Sequence, residues 1–198
     1  LLELRSPRPV ARRLQDWLAA VNLDVGRLEV LGYEFERVSG RMRPAALGWD
    51  IEIASPAAAG RALVPYDFDG DAPLALDMDR LFLGTRVRRG KGEPDPRDLP
   101  NVRLDVRAAT FERYDLGHLE ATLRRRADGA SLERFRIEHA AYAATGSGLW
   151  TLGPSGQRSA LDFALDSDDA RGLLLAFGFA PLVDARAGRL EARLTWPG

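Results

Sequence analysis

The chain has 198 residues, a net charge of −1 and a pI near 6.2, with 45% apolar and 29% charged residues. That is enough apolar material for a core, and it argues against a dedicated nucleic-acid binder, whose domain pI is usually above about 9. The absence of Cys excludes disulfides, thiolate zinc sites and thiol catalysis.

The chain starts at Leu1 and reads as a piece of a longer protein. Val10, Leu14, Trp17, Leu18 and Val21 recur on one face of an amphipathic helix, with Ser6 and Pro7 before it and Asn22 after it. From Leu23 the period is two. Leu23 and Val25, then Leu28 and Val30, alternate with polar residues, with a phase slip at Gly26 that predicts a bulge. Phe35, Val38, Gly40 and Met42 form the next strand, with a second slip before Val38. Trp49, Ile51 and Ile53 form a third, and Leu74, Leu76 and Met78 a fourth that runs on to Leu83. Residues 84–100, rich in Arg, Gly, Pro and Asp, have no period and read as a long exposed loop.

Alternation resumes at Leu104 and Val106, and continues through Leu119, Ala121 and Leu123, then Leu132, Phe135 and Ile137, then Tyr142 to Leu149. Leu161, Phe163 and Leu165 alternate cleanly. A second helix over 169–177, with Leu173, Leu174 and Phe177 on its apolar side, is capped by Ser167 or Asp168 and closed by Gly178. Leu190, Ala192, Leu194 and Trp196 make the last strand. No segment is a transmembrane helix: 172–183 is uncharged but short of the roughly 20 residues needed.

An internal repeat organises these strands. Leu23-Asp24-Val25 recurs as Leu104-Asp105-Val106, an offset of 104 − 23 = 81, and the same offset carries Tyr33 to Tyr114, Phe35 to Leu116, Val38 to Leu119 and Met42 to Leu123. Ile51-Glu52 then matches Ile137-Glu138 at 137 − 51 = 86, which implies five added residues. The copies cover approximately 22–83 and 103–166 within a single segment of 1–198.

Catalytic signals are poor. Gly146-Ser147-Gly148 lacks the spacing of a nucleophile elbow, Lys91 has no phosphate-binding context, and a calcium loop from Asp67 would place Ala72 and Met78 where Gly and Glu are required. Neither His118 nor His139 has a second His at i+3 to i+5, so each reads as an ordinary surface or edge residue. No catalytic, cofactor or metal residue is assigned. The residues describe a mainly β body of about nine strands, a twisted antiparallel sheet with one apolar face and two short helices, too few to cover it. That leaves room for an open apolar groove.

Several segments, in order, resemble the central region of the bacterial YhdP proteins of the AsmA-like group, which includes TamB. They are 25–44, with Gly32-Tyr33-Glu34-Phe35-Glu36-Arg37-Val38-Ser39-Gly40-Arg41-Met42-Arg43-Pro44; Leu74 to Leu81; Asp95-Pro96-Arg97-Asp98-Leu99-Pro100; Tyr114 to Glu120; Leu161 to Leu165; and Gly188 to Gly198, closing on Leu-Thr-Trp-Pro-Gly. Residues 183–188 depart from the usual Gly-rich approach to the last strand.

The resemblance implies a long, rolled β-sheet in the periplasm, its parent anchored in the inner membrane by a helix outside this chain. It implies a bridge for phospholipid transport between inner and outer membranes, with acyl chains and the two membranes as partners and no enzyme site. The expected lining is Leu23, Val25, Val38, Met42, Ile51, Leu74, Leu76, Leu104, Val106, Leu119, Leu123, Leu161, Phe163, Leu165, Leu190, Leu194 and Trp196. In an open groove, glutamate at Val106 and Leu123 stays solvated and the fold survives. The alternative is a closed β-sandwich acting as a structural or partner-binding module, in which the same glutamates are severely destabilising.

Overall fold

A computed structural model of the chain describes residues 19–30, 33–68, 70–84, 95–154, 156–180 and 187–197. Eleven strands form one sheet in chain order: β1 (Val21–Val30), β2 (Tyr33–Pro44), β3 (Gly48–Ala54), β4 (Ala58–Pro65), β5 (Leu74–Leu83), β6 (Val102–Phe111), β7 (Tyr114–Arg126), β8 (Gly129–His139), β9 (Tyr142–Gly153), β10 (Gly156–Ser167) and β11 (Gly188–Pro197). β1 and β11 are the two edges and do not pair with each other, so the sheet is open. It is a single sheet rather than a sandwich.

Neighbours are antiparallel except β5 and β6, which run parallel. The sheet is thus mostly antiparallel, as expected, with one parallel seam that the sequence reading did not place. A parallel pair needs a crossover of a dozen or more residues, and residues 84–101 supply it. Its described part contains a 3₁₀ turn, Pro96–Asp98, which lies against β7, β8 and β9 and whose Pro96 is buried. The extra strands relative to the sequence reading include β4, whose Ala-Ala-Gly-Arg-Ala run carries little apolar alternation.

The helix expected at 10–20 lies outside the described residues except for Ala19 and Ala20, which are not helical. Val21 and Asn22 already belong to β1. The second helix is present as α1 (Ala170–Ala176). Its cap is Asp169, whose Oδ1 accepts from the Gly172 N–H at 2.9 Å. Ser167 instead braces the approach: its hydroxyl accepts from the Asp169 N–H at 3.1 Å and donates to the Ala141 carbonyl at 2.7 Å. Gly178, at φ +75, closes the helix in the left-handed region that glycine enters without steric penalty.

The first hairpins of the two five-stranded runs share a register. Val21, Leu23 and Val25 face Met42, Gly40 and Val38. Val102, Leu104 and Val106 face Leu123, Ala121 and Leu119, each 81 residues on. The β1–β2 ladder keeps one register from Val21–Met42 to Val30–Tyr33, so the bulge expected at Gly26 and the slip expected before Val38 are absent; the ladder is interrupted only at Gly26 opposite Arg37, where Arg37 has φ +51. Beyond these hairpins the correspondence differs from the sequence reading. Ile51 faces Met42 and Leu132 faces Leu123, so Leu132, not Ile137, takes the place of Ile51. The added residues enter later, at the bulge between Leu132 and Phe135 and in the longer β8 and β9.

Candidate functional site on the apolar face

Partners across a ladder share a face, and so do alternate residues of one strand. These two rules carry a row of side chains across the whole sheet: Leu23, Gly40, Ile53, Gly60, Met78, Val106, Leu119, Ile137, Ala144, Leu165 and Leu190. A second row runs from Val21 through Met42, Ile51, Ala62, Leu76, Leu104, Ala121, Phe135, Gly146 and Phe163 to Ala192. Leu74, Val102, Leu123, Leu132, Gly148, Leu161 and Leu194 form a third across β5–β11. Val25 faces Val38, and Trp196 faces Ser159 beside the third row. Every residue expected in the lining therefore projects to one side of the sheet. Ile53, Met78, Phe135 and Ile137 share that side and were signalled by the same alternation, though left out of the expected lining; Trp150 shares it too, whereas Leu149, the residue the alternation named, faces the other way.

Exposure along this face is uneven. In the first row Leu23 is 44% exposed, Met78 4%, Val106 0%, Leu165 8% and Leu190 52%. The centre is packed. Ala58, Met78, Val106 and Ala109 form a buried cluster, with Phe35, Leu76, Leu81, Leu104, Leu116 and Leu119 against it. Val106 is thus no open groove position, and the expectation that a glutamate there stays solvated is corrected; Leu123 is only half-buried. In the second run Tyr142, Ala144 and Leu165 form another cluster, and α1 lays Leu173 and Phe177 on it. The Phe177 ring lies 5.4 Å from Tyr142 and 6.0 Å from Tyr114. Burial, with Asp115 nearby, raises the Tyr142 phenol above its usual pKa. Phe135 covers Gly146, where a Cβ would sit 2.5 Å from the ring, so this row alternates large with minimal residues.

The opposite face is a lattice of charges. Arg61 grips Asp50 through two bonds of 2.7 Å. Arg193 pairs with Asp162 at 2.5 Å, Arg189 with Asp166 at 3.4 Å and Glu191 at 2.9 Å, and Arg107 with Asp79. His118 Nε2 bonds Asp105 Oδ1 at 2.8 Å while Nδ1 lies 3.6 Å from Glu138. His118 lies within β7. The bond to Asp105 raises the imidazole pKa, and the Arg136 hydrogen bond lowers that of Glu138. Two shallow depressions also lie on this face. The larger, about 570 Å³, is bordered by Arg61, Asp77, Arg103, Asp105, Glu120 and Arg134. Exposed ion pairs contribute little stability singly. They make most of this side of the sheet wettable, with Leu63 and Leu149 as apolar exceptions.

A comparison of the sequence with known families decides the family: the model of the family described as YhdP protein aligns with residues 3–198. The chain belongs to the YhdP family. No curated protein and no solved structure matches it. For this YhdP-family chain the apolar face is the candidate functional surface. Among the described residues no helix is long and apolar enough to cross a membrane.

Proposed function

We propose that this YhdP-family chain is a periplasmic segment of an intermembrane phospholipid-transport bridge, shielding acyl chains between inner and outer membranes. The observation that supports it best is the unbroken apolar row across all eleven strands, with large side chains still exposed at both flanks: Leu23, Leu190, Leu194 and Trp196. Family membership points the same way. The parent's anchor would lie in the inner membrane outside this chain. The segment acts as a surface rather than an enzyme and uses no cofactor.

The physics is simple. Each CH₂ kept from water is worth about 0.8 kcal/mol, so acyl chains lie on the apolar side while headgroups stay in solvent. Leu, Val, Ile, Phe and Met offer no directional bond, so a lipid is held by area and slides from row to row. The charged reverse face keeps the segment in water. The test is mass spectrometry of organic extracts of the purified chain. Co-purified phospholipid is expected, reduced several-fold in a Leu190→Glu/Leu194→Glu variant that keeps its β circular dichroism. Absence of phospholipid from the wild-type chain, or no loss in the variant, would overturn the proposal.

A further inference from the structure

The charged face carries a group of side chains that lipid shielding does not use. Asp105 on β6 faces Glu120 on β7, and His118 lies two residues before Glu120 on the same side. One donor atom from each of the three lies within 4.8 Å of the others. Carboxylates placed opposite one another repel, and the register extends the acidic row to Asp77 on β5. Arg136 faces Glu120, but its guanidinium is committed to Glu138 at 2.8 and 2.5 Å. Among the described residues no arginine pairs with Asp105 or Glu120. His118 reaches toward this pair, with Nε2 2.8 Å from Asp105 Oδ1.

His118 has a carboxylate at each ring nitrogen. Its Nε2 points at Asp105, while Nδ1 faces Glu138, itself fixed by Arg136. A carboxylate behind the distal ring nitrogen fixes the tautomer and raises ligand basicity in metal-bound histidines. We propose that Asp105, His118 and Glu120 form a surface site for a divalent transition-metal ion of the zinc type, with Glu138 as the orienting carboxylate. Imidazole with two carboxylates suits zinc, whose bonds to nitrogen and oxygen are about 2.0–2.2 Å, and leaves a fourth position for water. Calcium and magnesium, which take oxygen ligands, bind less well. Bound metal replaces the Asp105–His118 hydrogen bond and cross-links β6 to β7 beside the parallel seam. The sequence hides this site because His118 and Glu120 sit two apart on one strand without a second His, and Asp105 joins them only through strand register.

The experiment is a zinc titration of the full chain against a chromophoric chelator at pH 7.5, with thermal unfolding in parallel. Saturable binding at one site and a raised midpoint are expected. His118→Gln and Glu120→Gln each lose binding by tenfold or more, Glu138→Gln weakens it about tenfold, and Asp162→Asn on the same face changes nothing. Circular dichroism of each variant separates lost binding from lost fold; both altered side chains are partly exposed, so folding survives in at least one. Equal zinc binding by wild type and a folded His118→Gln or Glu120→Gln variant, or none by wild type, would overturn the assignment, as would calcium binding as tightly as zinc.

Discussion

The centre of the apolar face and its two flanks are made of the same residue types in the same row, yet they differ in kind. At the β5–β6 seam Met78 and Val106 are 4% and 0% exposed; at the flanks Leu23 and Leu190 are 44% and 52% exposed. Composition does not separate them. Position does: the seam has strands on both sides and a ring of Phe35, Leu81 and Leu116 folded against it, whereas β1 and β11 have one neighbour each. A face of this type divides its labour. The centre supplies the stability that lets the flanks remain open.

The largest expected effect tests that division directly. Val106→Glu buries a carboxylate without a partner and is expected to cost about 4 kcal/mol or more, whereas Leu190→Glu, on the edge, is expected to cost under about 1 kcal/mol. Chemical denaturation of both variants measures the gap; equal losses would abolish the distinction between centre and flank. Phe177→Ala comes next. It removes the ring that α1 lays on Tyr114 and Tyr142, and because Phe177 is only partly buried a loss of about 2 kcal/mol is expected. Unchanged stability would mean that α1 adds nothing to the packing of the second run.

Asp169→Ala should cost about 1 kcal/mol by orphaning the Gly172 N–H, read as a shift in thermal midpoint, with β circular dichroism retained. The smallest effect belongs to the charged face. Arg136 holds the Glu138 carboxyl below its usual pKa, so this pair stabilises above the unfolded value of about 4.3 and the contribution fades as pH falls through the folded value. The midpoint difference between wild type and Arg136→Gln should therefore be positive at pH 6 and shrink toward pH 3. A difference constant with pH would assign the effect to packing of the Arg136 stem instead.

Much of the β architecture was legible because alternation is a local signal. Leu161-Phe163-Leu165 and Leu190-Leu194-Trp196 show their strands and their common face without help from the rest of the chain. β4 was not legible, since Ala58, Ala59, Gly60 and Ala62 do not contrast with their neighbours. The parallel seam was hidden for another reason: residues 84–101 are long enough for a crossover, but loop length does not say which edge the chain returns to. Depth was the least legible property. Val106 and Leu23 sit in similar Leu-Asp-Val triplets, and only the number of surrounding strands makes one buried and the other open. His118, likewise, gained Asp105 and Glu138 from adjacent strands, which no spacing along the chain announces.

The parallel pairing of β5 with β6 governs how the sheet counts. A meander of five strands ends pointing the way it began. Had the next strand turned back on β5, every position of the second run would have been mirrored in height against the first. Because β6 runs alongside β5, β1 and β6 share a polarity. Leu23 and Leu104, 81 residues apart, thus start their hairpins in the same direction with the same side chains toward the same side. An odd-numbered module keeps its heading only across such a seam. The crossover thereby turns two short meanders into one directional track.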